Sequence, residues 1–357
     1  MEYFPHIRAR LTFPTMQEHC AARQLPTAQG WEKLQAKLEE ESATGHVRAA
    51  EVDGALSEIY RETLSVGTRA VRLYRIPAEQ AQAIAGYFAE LALEESPFLD
   101  AYPRPLTREQ LNAVASGVYL CEVIRTVPDG SVSLVFCGKR IVEEKEPRTR
   151  DQIGAAAINQ FGWEQYDEFV LIKRHFAQSY EVVRVDPAGL VELRVEDHSG
   201  VDSGAALEQL LVKTNGLLAN RFGADGQLVR AVNLFPAIKS MYDDANEGIV
   251  VELGFTTDTG SSKHEKMRSN RADLRGELFH VGGKEAINGA LTPFRVAVRW
   301  SPPNGRLQEE ALLPGSIRQL SSGTPFLDHM VLSGALTEAK MRAVVQRVVQ
   351  HLPAPQQ

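Results

Sequence analysis

Cysteine is scarce. Only Cys20, Cys121 and Cys137 occur in 357 residues, none in CxxC spacing, which argues against a disulfide framework or a zinc ribbon and fits a reducing compartment. Long apolar runs are lacking too: none approaches the roughly 20 residues needed to span a bilayer, and the opening MEYFPHIRARLTFPTMQEHC has no signal-like apolar stretch. A cytoplasmic protein without membrane contact is expected. Positive charge is in deficit, at a formal −7, so the chain is not built to coat a polyanion over its whole surface, and any such contact must be a local patch. Aromatic residues make up 7%, with only Phe279 and Phe294 near the most basic segment, so no stacking platform for single strands is indicated. Walker A, GxSxG and dinucleotide signatures are absent, and His175, His198, His264, His280 and His329 show no HxH or HxxxH spacing that would signal a metal site.

What is present is enough apolar residue, 43%, to bury a sizeable core in two or three domain-sized units. Clusters of helical pattern and clusters of strand pattern, without regular βαβ alternation, predict an α+β fold. It divides into a helical N-terminal region (1–100), a β-rich domain (106–222) and an α/β C-terminal domain (223–357) closed by an amphipathic helix. Apolar spacing at Trp31, Leu34 and Leu38, then at Val52, Leu56, Ile59 and Tyr60, predicts a helical pair; RAVRLYRIP reads as a strand and SPFLDAYPRPLT as a linker. GVYLCEVIRT and SVSLVFCGKRIVEEK flank a Pro-Asp-Gly turn and predict a hairpin. EFVLIKRHF and YEVVRVD read as two strands, and LVELRVED, alternating Val191, Leu193 and Val195 with Glu192, Arg194 and Glu196, as a half-solvated one. LVRAVNLFPAIKSMYDDANEG predicts a helix that bends or restarts at Pro236. GIVVELGF and FRVAVRW are strands of the last part. Thr337 suits the N-cap of the closing helix, with Met341, Val344, Val345, Val348 and Val349 on its buried stripe.

The segment TTDTGSSKHEKMRSNRADLRG (256–276) admits three chemistries. Asp258-Thr259-Gly260-Ser261 resembles the aspartic-protease loop over four letters, but polar sequence follows and no second copy exists. His264, Lys266 and Asp273 are similar in order to a phospholipase-D-type site, with six residues instead of four before the Asp and no second motif. The third reading asks least: Lys263, Lys266, Arg268, Arg271, Arg275 and Lys284 make this segment locally basic, with Ser and Gly residues able to add hydrogen bonds to phosphate. A solvated charged surface explains the same letters, so the phosphate reading stays an expectation.

A separate constellation lies in the middle. Pro128-Asp129, thirteen residues, then Glu143-Glu144-Lys145 is similar to the PD-(D/E)xK nuclease pattern, in which Asp129 and Glu143 would hold Mg and Lys145 would help activate water. A continuous strand would separate the acids by more than about 40 Å, so this reading requires a turn at Gly138-Lys139. The expected function is therefore binding of nucleic acid, or of a small phosphorylated ligand, through the basic segment. A metal-dependent nuclease, or an interaction subunit whose ligand is another protein, stands as the alternative. Abundant Ala, Arg and Val suit a bacterial chain.

Overall fold

The computed structural model describes residues 1–43, 47–197, 202–268, 272–288, 291–301 and 308–354. The chain opens with four helices, α1 (Phe4–Arg10), α2 (Phe13–Ala22), α3 (Trp31–Glu41) and α4 (Ala49–Ser65), followed by strand β1 (Arg69–Arg75) and helix α5 (Ala78–Ala89). Short helices α6 (Pro97–Ala101) and α7 (Arg108–Ala113) lead to β2 (Val118–Thr126) and β3 (Ser131–Thr149). After α8 (Arg150–Ile153) and α9 (Ala155–Phe161) the chain returns as β4 (Glu168–Val185), β5 (Leu190–Glu196) and the long helix α10 (Ser203–Phe222). The remainder runs α11 (Phe235–Asp243), β6 (Ile249–Thr257), β7 (Ser262–Lys266), α12 (Leu278–Ala286), β8 (Leu291–Trp300), β9 (Glu309–Leu313), α13 (Ile317–Leu320), β10 (Met330–Ser333) and α14 (Glu338–Gln350). The fold is α+β: all ten strands join one antiparallel sheet in the order β2-β3-β4-β5-β1-β10-β9-β8-β6-β7.

Three apolar clusters organise the layers. Helices α5 and α10 cover one face of the β2–β1 half through Ile84, Phe88, Leu207 and Leu210 against Leu134, Val183 and Leu193. Helices α11 and α14 cover the opposite face of the β10–β7 half through Ile238, Met241, Val345 and Val348 against Leu253, Val296 and Leu332. The N-terminal helices form the third cluster, where Leu34, Ile59 and Tyr60 meet Cys121, Cys137 and Tyr180 of the sheet. All three cysteines are buried and free. Thr337 caps α14 by accepting from the Lys340 amide, which satisfies one of the four orphan donors at that terminus.

Several local expectations change. SPFLDAYPRPLT is no linker: Phe98 and Leu106 are buried in the N-terminal cluster, so apolar anchors override three prolines. EFVLIKRHF and YEVVRVD are one strand, β4. β5 is buried along its whole length, not half-solvated, because its polar side forms ion pairs beneath other elements: Arg194 binds Glu192 at 2.7 Å and Glu338 of α14 at 2.7 Å, and Arg184 binds Glu192 at 3.0 Å. A helix does start at Pro236, as one of the two expected outcomes, since a proline in the first turn removes no intrahelical bond; what changes is the preceding stretch, which is not helical but extended enough for Ala231 to bridge Tyr74. β3 and β4 also outrun their neighbours. β2 pairs β3 only as far as Gly138, and β5 pairs β4 only from Val182, so the ladder from Lys139↔Gln178 to Thr149↔Glu168 projects as a two-stranded ribbon, roughly 33 Å long at about 3.3 Å per residue. Phe161, Trp163 and Phe169 stack at its tip. Among the described residues no helix is long and apolar enough to cross a membrane.

Candidate nucleic-acid interface

The alternation of β6 and β8 sorts their side chains. Val250, Leu253, Val296 and Val298 point into the core under α11 and α14, which leaves Glu252, Gly254, Arg295, Ala297 and Arg299 on the other face, where α5 and α10 do not reach along the sheet. The register of edge strand β7 places Lys266 opposite Glu252 and His264 opposite Gly254, on that same face. Glu252 gathers the cations: Oε1 lies 3.0 Å from His264 Nε2, Oε2 lies 3.1 Å from Lys266 Nζ, and Arg295 Nε donates to Oε1. Burial alone would raise the carboxyl of Glu252, but hydrogen bonds from Arg295, Lys266 and His264 outweigh it and pull it down to about 2. Arg299 pairs with Glu310 of β9 beside this group. Lys266 keeps 67% of its side chain exposed and His264 56%, against 6% for Glu252, so the anion lies at the floor and the cations at the surface.

The six basic residues of the sequence expectation do not form one cluster. Lys266 joins the Glu252 group. The side chains of Lys263 and Arg268 are exposed and make no hydrogen bond or ion pair with a described residue. Arg271 lies outside the described residues. Arg275 is turned inward: its guanidinium binds Asp273 at 2.6 Å and the Gly248 carbonyl at 2.7 Å and also reaches the Asp244 carbonyl, clamping two loops together. Lys284 donates to Tyr242 Oη at 3.1 Å and lies 4.9 Å from that ring's centre. Tyr242 Oη continues to His280 Nε2 at 2.9 Å, and His280 Nδ1 to Glu265 at 2.6 Å. This buried relay ties β7 and α12 to α11. Asp258-Thr259-Gly260 is the turn of the β6–β7 hairpin, with Gly260 at φ 80°, and Asp273 serves Arg275, not His264.

The nuclease trio is not assembled. β3 runs unbroken through Gly138 and Lys139, both paired with β4, so Asp129 and Glu143, fourteen positions apart, are separated by roughly 46 Å. Asp129 accepts from Ser131 and meets Arg342 at 2.5 Å and Arg184 at 3.4 Å. Burial opposes its ionisation, but the Ser131 hydrogen bonds and these two charges hold its carboxyl below the usual range. Glu143 and Lys145 pair at 3.4 Å on the projecting ribbon, where Arg174 also binds Glu143 at 3.0 Å.

Sequence reasoning missed Glu252, Arg295 and Arg299. A signal was there: one acid interrupts VVELGF, and Arg295 and Arg299 occupy alternate positions of FRVAVRW. A second unforeseen group brings donor atoms of Asp244, Glu247 and His351 within 4.8 Å of one another. Glu247 already accepts from Trp300 and meets Arg347 and His351, each at 3.1 Å, so it acts as an ion-paired link to α14. Neither a protein-family model, nor a curated protein, nor a solved structure matches this chain.

Proposed function

We propose that this protein binds nucleic acid through the β7 edge and the face of the β8–β6–β7 sheet turned away from α11 and α14, in the cytoplasm of a bacterium. The observation that carries the reading is the surplus of cations there. Lys266 and Arg295 gather on the one carboxylate of Glu252, with His264 beside them and Lys266 67% exposed. Arg268, exposed just past the end of β7, extends the positive region, while Lys263, which the register sets opposite Phe255, stands on the other side of this edge strand. Phosphate backbone suits such a surface because exposed lysine and arginine release its counterions at any sequence. Lys266 and Arg268 are the principal contacts and Lys263 a flanking one, while Arg275 and Lys284 support the scaffold from within. Metal-dependent cleavage is not part of the proposal, since Asp129, Glu143 and Lys145 do not converge. Fluorescence anisotropy with labelled single- and double-stranded DNA and RNA, from low to physiological salt, tests it. Affinity should fall with salt, and Lys266→Ala with Arg268→Ala should flatten the logarithmic slope by about two, at roughly 0.9 per contact for duplex DNA. No binding at low salt rejects the proposal.

A second reading, that the chain is a subunit docking another protein, rests on the ribbon. Ile141, Val170, Leu171 and Ile172 expose 59%, 59%, 46% and 49% of their surface, an apolar stretch that a protein surface would cover. Ile172→Asp should abolish association with such a partner while leaving nucleic-acid affinity unchanged.

A further inference from the structure

The two faces of the β3–β4 ribbon differ. Residues directly opposite one another share a face, and faces alternate along each strand. One face therefore carries the pairs Lys139↔Gln178, Ile141↔Phe176, Glu143↔Arg174, Lys145↔Ile172, Pro147↔Val170 and Thr149↔Glu168. Ile141, Val170, Ile172 and Phe176 are all exposed there. The opposite face carries Glu144, Glu146, Arg148 and Lys173, and near the tip Trp163 packs on its Phe169. Charge is uneven along the arm. The tip, residues 150–168, holds Asp151, Glu164, Asp167 and Glu168 against Arg150 alone. At the base a hollow opens beside Ile141 and Phe176, lined also by Arg108, Asn112 and Arg174, and Lys139 Nζ lies 4.4 Å from the centre of the Phe176 ring. An acidic tip and a cationic base roughly 33 Å apart cannot meet within one arm. They meet when two arms lie antiparallel.

We infer that a second copy of this chain covers that face, the two ribbons stacking antiparallel about a twofold axis midway between Glu143 and Lys145. The inference rests on the reading of the ribbon as a protein-docking surface and names what docks there. Under that symmetry β3 lies on β3 and β4 on β4. Ile141 then meets Pro147 of the second copy, Phe176 meets its Val170, and Glu143 meets its Lys145, while its Glu168 reaches the end that carries Lys139. Apolar rows face apolar rows and acids face bases, with Ile172 against the stem of Arg174 of the second copy. The strip is about 33 Å by roughly 10 Å, small for a specific interface, so a reversible dimer with a dissociation constant on the order of 10 µM is expected.

Sedimentation equilibrium of the full chain from about 1 to 100 µM tests this. Wild type should pass from monomer to dimer. Ile141→Ser combined with Val170→Ser, both at exposed positions, should raise the dissociation constant about tenfold or more. Arg108→Glu at the base and Glu168→Lys at the tip should each raise it severalfold. Together in one chain they should bring it back toward wild type, which only contacts between copies can do. A monomer throughout, a dimer indifferent to the serine variant, or a double reversal no better than the single ones would overturn the assignment. Failure of the docking reading itself looks different. A monomeric wild type that retains another protein from a lysate, lost in the serine variant, overturns self-pairing alone; retention of nothing overturns both.

Discussion

Replacing Arg194 with alanine tests what the buried ion pairs contribute. Its side chain is wholly buried; Nε and Nη2 donate to Glu192 at 2.9 and 2.7 Å, and Nη1 and Nη2 to Glu338 at 2.7 and 2.8 Å. Without it Glu192, itself buried, keeps only Arg184 at 3.0 Å, and Glu338 keeps a looser contact with Arg184 at 3.7 Å. Breaking a buried pair from one side typically costs about 3–5 kcal/mol, because the abandoned charge remains desolvated. Arg104→Ala is the control: its pair with Glu2, at 2.8 Å, leaves both side chains about half exposed, and such pairs contribute about 0–1 kcal/mol. Urea unfolding at neutral pH should separate the two variants by at least about 2 kcal/mol. The gap should also depend on pH. Burial opposes ionisation of Glu338, but Arg194, Arg184 and Arg342 hold its carboxyl below the ordinary value of 4.5. A depressed folded-state value gives stabilisation that is complete above 4.5 and lost as pH falls through the folded value, so the difference between wild type and Arg194→Ala should narrow in acid. A variant no less stable than Arg104→Ala, or a gap unchanged from pH 7 to pH 3, would refute the reasoning.

Burial, the main cause, with Arg23 and Lys340 adding to it, lowers His19 from 6.5 to about 4. Between those values the unfolded chain binds the extra proton, so stability should rise with pH across this window by up to about 3 kcal/mol at ~1.4 kcal/mol per unit; urea midpoints at pH 4 and pH 7 in wild type and His19→Gln measure it, and an unchanged pH slope in the variant counts against the mechanism. Gly189, in the turn between β4 and β5, has φ 107°, and a Cβ there would meet the Ile76 carbonyl oxygen at 2.4 Å. Gly189→Ala should therefore lose about 1–3 kcal/mol by chemical denaturation, and a neutral result would mean the turn can relax. Glu252→Gln removes the anion from the floor of the sheet face and should tighten nucleic-acid binding in the anisotropy assay; weaker or unchanged binding would show that the face is not the contact surface.

Periodicity carried well where one side of an element meets the core. The stripe of α14 and the strands β1, β6 and β8 lie where their apolar alternation puts them, because burial of one face is a local pattern. It failed where the partner is distant in sequence. Glu192 and Arg194 read as solvated because Glu338, which covers them, comes 144 positions after Arg194. Phe98 read as part of a linker because the helices that bury it precede it by dozens of residues. The basic segment shows the same limit in charge: six cations in one stretch cannot reveal that Arg275 faces two loops, that Lys284 faces a tyrosine, or that Glu252 and Arg295 arrive from neighbouring strands to set the polarity of Lys266. The spacing between Asp129 and Glu143, by contrast, already contained its own objection, and an unbroken β3 realises it.

The order of strands has a consequence for how the chain is made. β1 belongs to the first quarter of the sequence, yet one of its edges is completed by β10 through only three residue pairs, Arg69↔Leu332, Ala70↔Val331 and Val71↔Met330. During synthesis β5 can join the other edge as soon as residue 196 has emerged, while the edge reserved for β10 waits for more than a hundred further residues. Such late, non-local closure is slow and leaves a strand edge open to wrong partners. The nascent protein thus completes the middle of its sheet only once β10 has been made, and chains truncated before Met330 should associate through β1.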